Sequence, residues 1–329
     1  MDGGDIDGGT RADRPVVVGL DGSVGSREAA LFAARSARRR GTRLEAVVAV
    51  EPPRPEGRAV AAAAGFPLAP LSATADRTRR MARGMLDDVV HQVRREDGEA
   101  PRADVVTVIG GPAEVVVDAA KDAVELVLGH RGLGTVSSVL LGSVGMASVL
   151  HASCPVTVVP VSVPGGAGVV VGVDGRGDSR AALVHAVREA ARRGTSVTAV
   201  VAYPAEDATW PAGGDLPPWP QDLCRIEVDR ARGFVDETLA ALRPDTAALP
   251  PVEVVGALGS PTAALTEAAR DAALLVVGHR ERGVLRSTLL GSIGLGCVLH
   301  AVCPVTVVPV ATSAREPESA TRPPAAATR

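Results

Sequence analysis

Short valine-rich runs alternate along this chain with longer stretches of helical period. Pro15–Leu20, Arg43–Val50, Ala103–Ile109, Val124–Leu128 and Val156–Val161 read as strands, with helices expected at Ser26–Arg40, Ala73–Arg95, Pro112–Lys121 and Leu140–His151. The same order then recurs. Strands are expected at Val169–Val173, Ser196–Ala202, Val252–Val255, Leu274–Val277 and Val305–Val310, and helices at Ser179–Arg193, Leu223–Leu242, Pro261–Arg270 and Leu289–His300. In Ser179–Arg193, Leu183, Val184, Val187 and Ala190 fall at the spacings of three, four and seven that mark one helical face. Strands apolar throughout are buried on both sides, and strict strand–helix alternation predicts an α/β fold with a parallel sheet and helices on both faces. Residues 52–70, with five prolines, and 203–220, with Trp210 and Pro217-Pro218-Trp219-Pro220, read as loops.

The recurrence is a duplication. Val127–Gly145 and Val276–Gly294 are identical at 11 of 19 positions, and His151–Val161 and His300–Val310 at 10 of 11, all at an offset of 149. That period is too long for a solenoid repeat. Two modules are expected, at 15–161 and 168–310, joined by a linker at 162–167. The acidic, glycine-rich residues 1–14 and the Pro/Ala/Thr-rich residues 311–329 are expected to be disordered.

Composition narrows the function classes. Hydrophobic residues make up 46% of the chain but aromatics only 2%, so the core must be built from valine, leucine and alanine. A net charge of −3 gives no overall attraction to nucleic acid or anionic membrane. Arg38-Arg39-Arg40 reads as a solvated helix end. No signal peptide or membrane span is evident, which predicts a soluble cytoplasmic protein. Cys154, Cys224, Cys297 and Cys303 lack Cys-x-x-Cys spacing, so zinc is not expected and buried free thiols are. Lys121 is the only lysine among 35 basic residues, so neither glycine-rich loop can be a P-loop.

Those loops are the most faithfully repeated segments. Gly129-His130-Arg131-Gly132-Leu133-Gly134-Thr135 is followed, with nine residues between Gly132 and Gly142, by Gly142-Ser143-Val144. Glycines without a Cβ let backbone N–H groups turn toward an anion. The free N–H groups of a helix opening at Gly142-Ser143 favour a phosphate there. Asp21 and Asp174 follow the first strand of each module. Each is an acceptor for ribose hydroxyls or a cation, or alternatively an ordinary turn residue. His130 and His279 are possible acid–base groups, but no paired carboxylate is evident from spacing.

Val-Gly-Leu-Asp-Gly-Ser at the first strand, Gly-x2-Gly-x9-Gly-Ser, and the terminal Cys-Pro-Val-x-Val-Val-Pro together resemble the universal stress proteins, in a tandem form. The resemblance implies two Rossmann-like (flavodoxin-like) domains, each a five-stranded parallel sheet of order 3-2-1-4-5. It implies ATP, with or without Mg2+, bound near Gly19, Asp21 and Val48, with Gly129 to Thr135 and Gly142 to Val144 around the phosphates. The matching positions in the second module are Gly172, Asp174, Gly278, His279, Arg280, Gly283, Gly291, Ser292 and Ile293. It also implies that the two modules pair through their last strands, and leaves a homodimer open. The leading reading is an ATP-binding regulator of a stress response. A slow ATPase or phosphotransferase and a nucleotide-free scaffold using Thr209–Pro220 are the alternatives.

The second copy departs from the glycine pattern where Glu281 replaces Gly132, and Arg176 in place of Ser23 supplies a positive charge that would offset the change. At an effective dielectric near 20, two unit charges about 4 Å apart repel by roughly 4 kcal/mol, less if the carboxylate swings into solvent. The first site is therefore expected to bind ATP more tightly than the second. Titration calorimetry on the separate modules checks this, and equal or inverted affinities refute it.

Overall fold

β-Branched valines fill the strands because their stiff side chains fit a pleated sheet covered on both faces. A computed structural model describes residues 14–53, 55–56, 63–64, 69–130, 142–162, 165–175, 177–203, 220–242, 249–279 and 291–309. The first module runs β1 (Val16–Gly19), α1 (Val24–Arg40), β2 (Leu44–Val50), α2 (Leu71–Asp97), β3 (Ala103–Ile109), α3 (Pro112–Ala119), β4 (Glu125–Gly129), α4 (Ser143–His151) and β5 (Val156–Val159). The second runs β6 (Val169–Gly172), α5 (Arg180–Arg193), β7 (Val197–Tyr203), α6 (Pro220–Leu242), β8 (Val252–Leu258), α7 (Pro261–Ala268), β9 (Leu274–Gly278), α8 (Ser292–His300) and β10 (Val305–Val308). Most of the expected tails, the residues of both glycine loops between His130 and Gly142 and between His279 and Gly291, and Thr209–Trp219 lie outside the described residues.

All ten strands form one sheet of order β3-β2-β1-β4-β5-β10-β9-β6-β7-β8. Each half is parallel with the order 3-2-1-4-5. The halves meet where β5 runs antiparallel to β10, with Val156 opposite Val307, Thr157 opposite Thr306 and Val158 opposite Val305. No helix among the described residues is long and apolar enough to cross a membrane.

The two faces of the sheet differ at this seam. On the side of α3, α4, α7 and α8, a single apolar cluster runs across both modules and includes Leu126, Val156, Val158, Leu275, Val305, Val307 and the buried Cys154, Cys297 and Cys303. Burial pushes the Cys154 thiol up to about 12 and the Cys303 thiol to about 11, so both stay protonated. On the other side the core is split in two, one part under α1 and α2 and one under α5 and α6, with Phe32 touching both.

A buried polar chain fills the division. Thr157 donates to Glu125 Oε1 at 2.6 Å, so the 2.7 Å contact between the threonine hydroxyls is donated by Thr306. Glu125 Oε2 accepts from Ser36 at 2.6 Å and lies 3.2 Å from Arg40 Nη2, which reaches Glu189 Oε1 of the second module at 2.6 Å. The Arg40 side chain is only 10% exposed. The expectation of a solvated Arg38-Arg39-Arg40 run is thereby corrected, because a carboxylate from each module draws Arg40 inward.

Several element ends also shift. Gly142 and Gly291 keep extended backbone, at φ −60°, ψ 157° and φ −54°, ψ 142°, so α4 and α8 begin at Ser143 and Ser292 rather than Leu140 and Leu289. β8 continues to Leu258, beyond the expected Val255, because each residue stays in register with β7 as far as Tyr203.

Burial alone would raise the Glu189 carboxyl, but Arg40, then His185, Arg193 and Arg192, hold it at about 2, against 4.5 for an ordinary glutamate. A folded value below the unfolded one stabilises the fold above about pH 4.5, and that contribution fades as the pH falls toward 2. Glu189→Gln is expected to lose about 3 kcal/mol at pH 7 and to flatten the decline below pH 4.5. Urea denaturation across pH measures both, and an unchanged acid profile in the variant would count against this assignment.

Candidate functional site

In each half-sheet the strand order reverses direction between the first and fourth strands. Open α/β sheets bind ligands outside the carboxyl ends of their strands at such a switch point. Here Gly19 ends β1 and Gly129 ends β4; Gly172 and Gly278 do the same for β6 and β9.

These glycines have packing roles. A Cβ on Gly129 would lie 2.4 Å from the Gly25 carbonyl carbon and 2.8 Å from Ser26 N, and one on Gly25 would meet the His130 carbonyl oxygen at 2.9 Å. The end of β4 and the start of α1 therefore touch backbone to backbone. A Cβ on Gly19 would lie 2.7 Å from Leu128 Cδ2, and one on Gly172 3.0 Å from Leu265. Gly25 is a residue that sequence reasoning missed; it falls just before the expected helix start at Ser26 and is the second residue of α1.

Asp21 sits in a turn, its Oδ1 accepting from Ser23 N at 2.9 Å, and Gly22 follows at φ +82°. Ser23 caps α1 by accepting from Ser26 N at 3.1 Å. In the second module Arg176 replaces Ser23, and the α-helix begins three residues later, after a 3-10 turn at Gly177–Ser179. Asp174 Oδ1 instead accepts from the Ser179 hydroxyl at 2.6 Å. Val48 is buried in the core under α1 and α2.

His130 and His279 continue the strands through N–H donation to Val159 and Val308 oxygens, both at 2.8 Å. The Nε2 atoms of both are buried without a hydrogen-bond partner among the described residues. Burial lowers the His130 pKa, which keeps the ring neutral. Arg131, Gly132, Leu133, Gly134, Thr135, Arg280, Glu281 and Gly283 lie outside the described residues.

Gly142, Ser143 and Val144 open α4, and Gly291, Ser292 and Ile293 open α8. Neither start has a side-chain cap or an acidic residue in its first turn. Among the other helices, α1 is capped by Ser23, α7 by Ser260, and α3 carries Glu114 in its first turn, whereas α2 and α5 also start without a side-chain cap or a first-turn acid. Uncapped N–H groups with no nearby carboxylate leave a positive helix end suited to an anion. Val24, Met81, Ile109 and Val161 are exposed, with Met81 lying near Gly22 and Val161 near Gly25 at the start of α1.

The fold and this edge define a duplicated, doubly wound α/β protein with a candidate anion site at each glycine–serine helix start. The chain belongs to the universal stress protein family, whose model matches residues 14–160 and 168–309. A universal stress protein of Mycobacterium tuberculosis is 32% identical over 300 residues, covering 89% of this chain and 95% of the relative. The solved universal stress protein from Archaeoglobus fulgidus DSM 4304 is 18% identical and matches 90% of this chain and 98% of its own, with a TM-score of 0.61. A shorter universal stress protein from Archaeoglobus fulgidus, solved in complex with dAMP, is 20% identical and covers 45% of this chain and 98% of its own, with a TM-score of 0.29.

Gly129→Ala is expected to destabilise the first module by about 2–3 kcal/mol through overpacking against Gly25. Thermal unfolding measures this, and an unchanged melting temperature would show that the backbone contact yields freely.

Proposed function

We propose that this protein binds ATP at the carboxyl edge of each half-sheet and acts as a nucleotide-dependent stress-response regulator in the cytoplasm. Its domains in this reading are 15–161 and 168–310, and the β5–β10 contact acts as an internal dimer interface. The observation that carries the reading is the pair of helix starts at Gly142-Ser143 and Gly291-Ser292, both uncapped and free of first-turn acids. Phosphate oxygens would accept from these N–H groups and from the serine hydroxyls, with the loops Gly129–Thr135 and Gly278–Gly283 closing over them. The exposed Val24, Met81 and Val161 around the start of α1 would suit the faces of a purine. A magnesium ion, where bound, would neutralise phosphate charge; the described residues hold no cluster of three or more metal-ligating side chains.

Denaturing the purified protein and chromatographing the released nucleotide tests the ligand. Gly142→Val places a branched side chain against the phosphates. Each charge-assisted hydrogen bond lost is worth about 1.5–3 kcal/mol, so ATP affinity at the first site should fall about tenfold or more. Titration calorimetry on the whole chain reads this, and unchanged affinity would overturn the site.

A further inference from the structure

The antiparallel seam brings the last turns of α1 and α5 toward one another, and each ends in two adjacent arginines followed by Gly-Thr: Arg39-Arg40-Gly41-Thr42 and Arg192-Arg193-Gly194-Thr195. Four guanidinium groups thus share the groove between the helices with two carboxylates, Glu125 and Glu189. Arg40 takes both, at 3.2 and 2.6 Å. Arg192 Nη1 shares Glu189 Oε1 at 2.9 Å. Arg193 lies over the Phe32 ring at 5.4 Å, and its Nε comes only to 3.8 Å from Glu189.

Glu125 and Glu189 Oε1 are then engaged while guanidinium donors remain. Arg193 Nε and Nη2 and Arg39 Nε are buried and make no hydrogen bond among the described residues. Arg39 has no carboxylate oxygen within 4.0 Å there. A buried donor left unused is costly, more so when it is charged. The partial negative charge of two helix C-termini offsets about one unit of the surplus. Arg38 and Arg188 also press on Arg39 and Arg192, while burial lowers the His185 pKa, so that ring adds no further positive charge. The surplus is felt across the seam: burial, then the charge of Arg193, lowers Arg39 to about 10, and burial, then Arg40, lowers Arg192.

We propose that the groove between α1 and α5 is a binding site for a small tetrahedral oxyanion of the phosphate class, held by Arg39 and Arg193 with Arg192 at its rim. Planar guanidinium forks match such an anion, two N–H donors to two oxygens. The site uses both modules, so its occupant fastens the seam. It is distinct from the glycine–serine helix starts and stands whether or not those bind nucleotide.

The test is thermal unfolding of the whole chain with inorganic phosphate as probe, at constant ionic strength set with chloride. Phosphate at 10 mM should raise the melting temperature by roughly 2–4 °C, a shift matching about 1 kcal/mol for modules of this size. Arg39→Gln should lose at least half of that shift. Without phosphate this variant should melt no lower than the wild type, because one uncompensated cation is gone. Gly142→Val with Gly291→Val should retain the shift, which separates this groove from the helix starts. Loss of the shift in the glycine variant but not in Arg39→Gln would overturn the proposal. So would an Arg39→Gln protein that melts lower in phosphate-free buffer, since Arg39 would then be structural.

Discussion

The antiparallel register of β5 against β10 is the constraint on which the rest of this molecule depends. Each module alone would leave a four-residue strand unpaired at the edge of its sheet, with valines facing one side and a threonine the other. Pairing them satisfies both ladders and sets Thr157 opposite Thr306. The hydroxyl of one threonine then passes a hydrogen bond to the other, and that to Glu125, so the register fixes where a carboxylate can be buried. Once Glu125 is placed, Arg40 must come inward to meet it, and Arg40 brings Glu189 with it. A buried pair of this kind gives little net stability over a hydrophobic replacement, but breaking it is costly, so its effect is to exclude other registers.

The two faces of the sheet divide the labour. The apolar side is continuous from Leu126 to Leu275. The polar side interrupts the core and sets geometry. The seam also orients the carboxyl edges: antiparallel pairing turns the two candidate sites toward opposite edges of the ten-stranded sheet. Any ligand effect passed between them has a packed route through β4, β5, β10 and β9, whose residues are almost wholly buried.

Much of this fold was legible in the sequence, because valine runs, helical stripes and a 149-residue offset are local or self-comparing signals. The strand order and helix faces followed from the alternation and the family resemblance. The ends of α4 and α8 were less legible: Gly142 and Gly291 adopt extended backbone that the apolar Leu140-Leu141 and Leu289-Leu290 do not foretell. The role of Gly129 was read as ligand access, yet its neighbour is Gly25, 104 positions earlier, and no local pattern relates them. Arg40 was misread for the same reason. A run of three arginines at a helix end looks solvated until a carboxylate from another module is placed beside it. One sign was available: Glu125 is a lone charge entering an apolar strand, where the second copy has Leu274.

That difference bears on why the copies diverged where they did. Aligning Arg40-Gly41-Thr42 with Arg193-Gly194-Thr195 makes Ser36 the counterpart of Glu189, and Phe32 the counterpart of His185. The buried carboxylate comes from a strand in the first module and from a helix in the second. Two first modules paired through their last strands would have no Glu189 to receive Arg40. Two second modules would have no Glu125 to accept from the threonine pair and would bring two copies of Glu189 to the axis. The Arg40–Glu189 bridge forms only between unlike modules, which the chain supplies at high effective concentration. Duplication thus kept the glycine–serine helix starts nearly identical while the seam became asymmetric, and the asymmetry selects pairing of unlike modules over pairing of like ones.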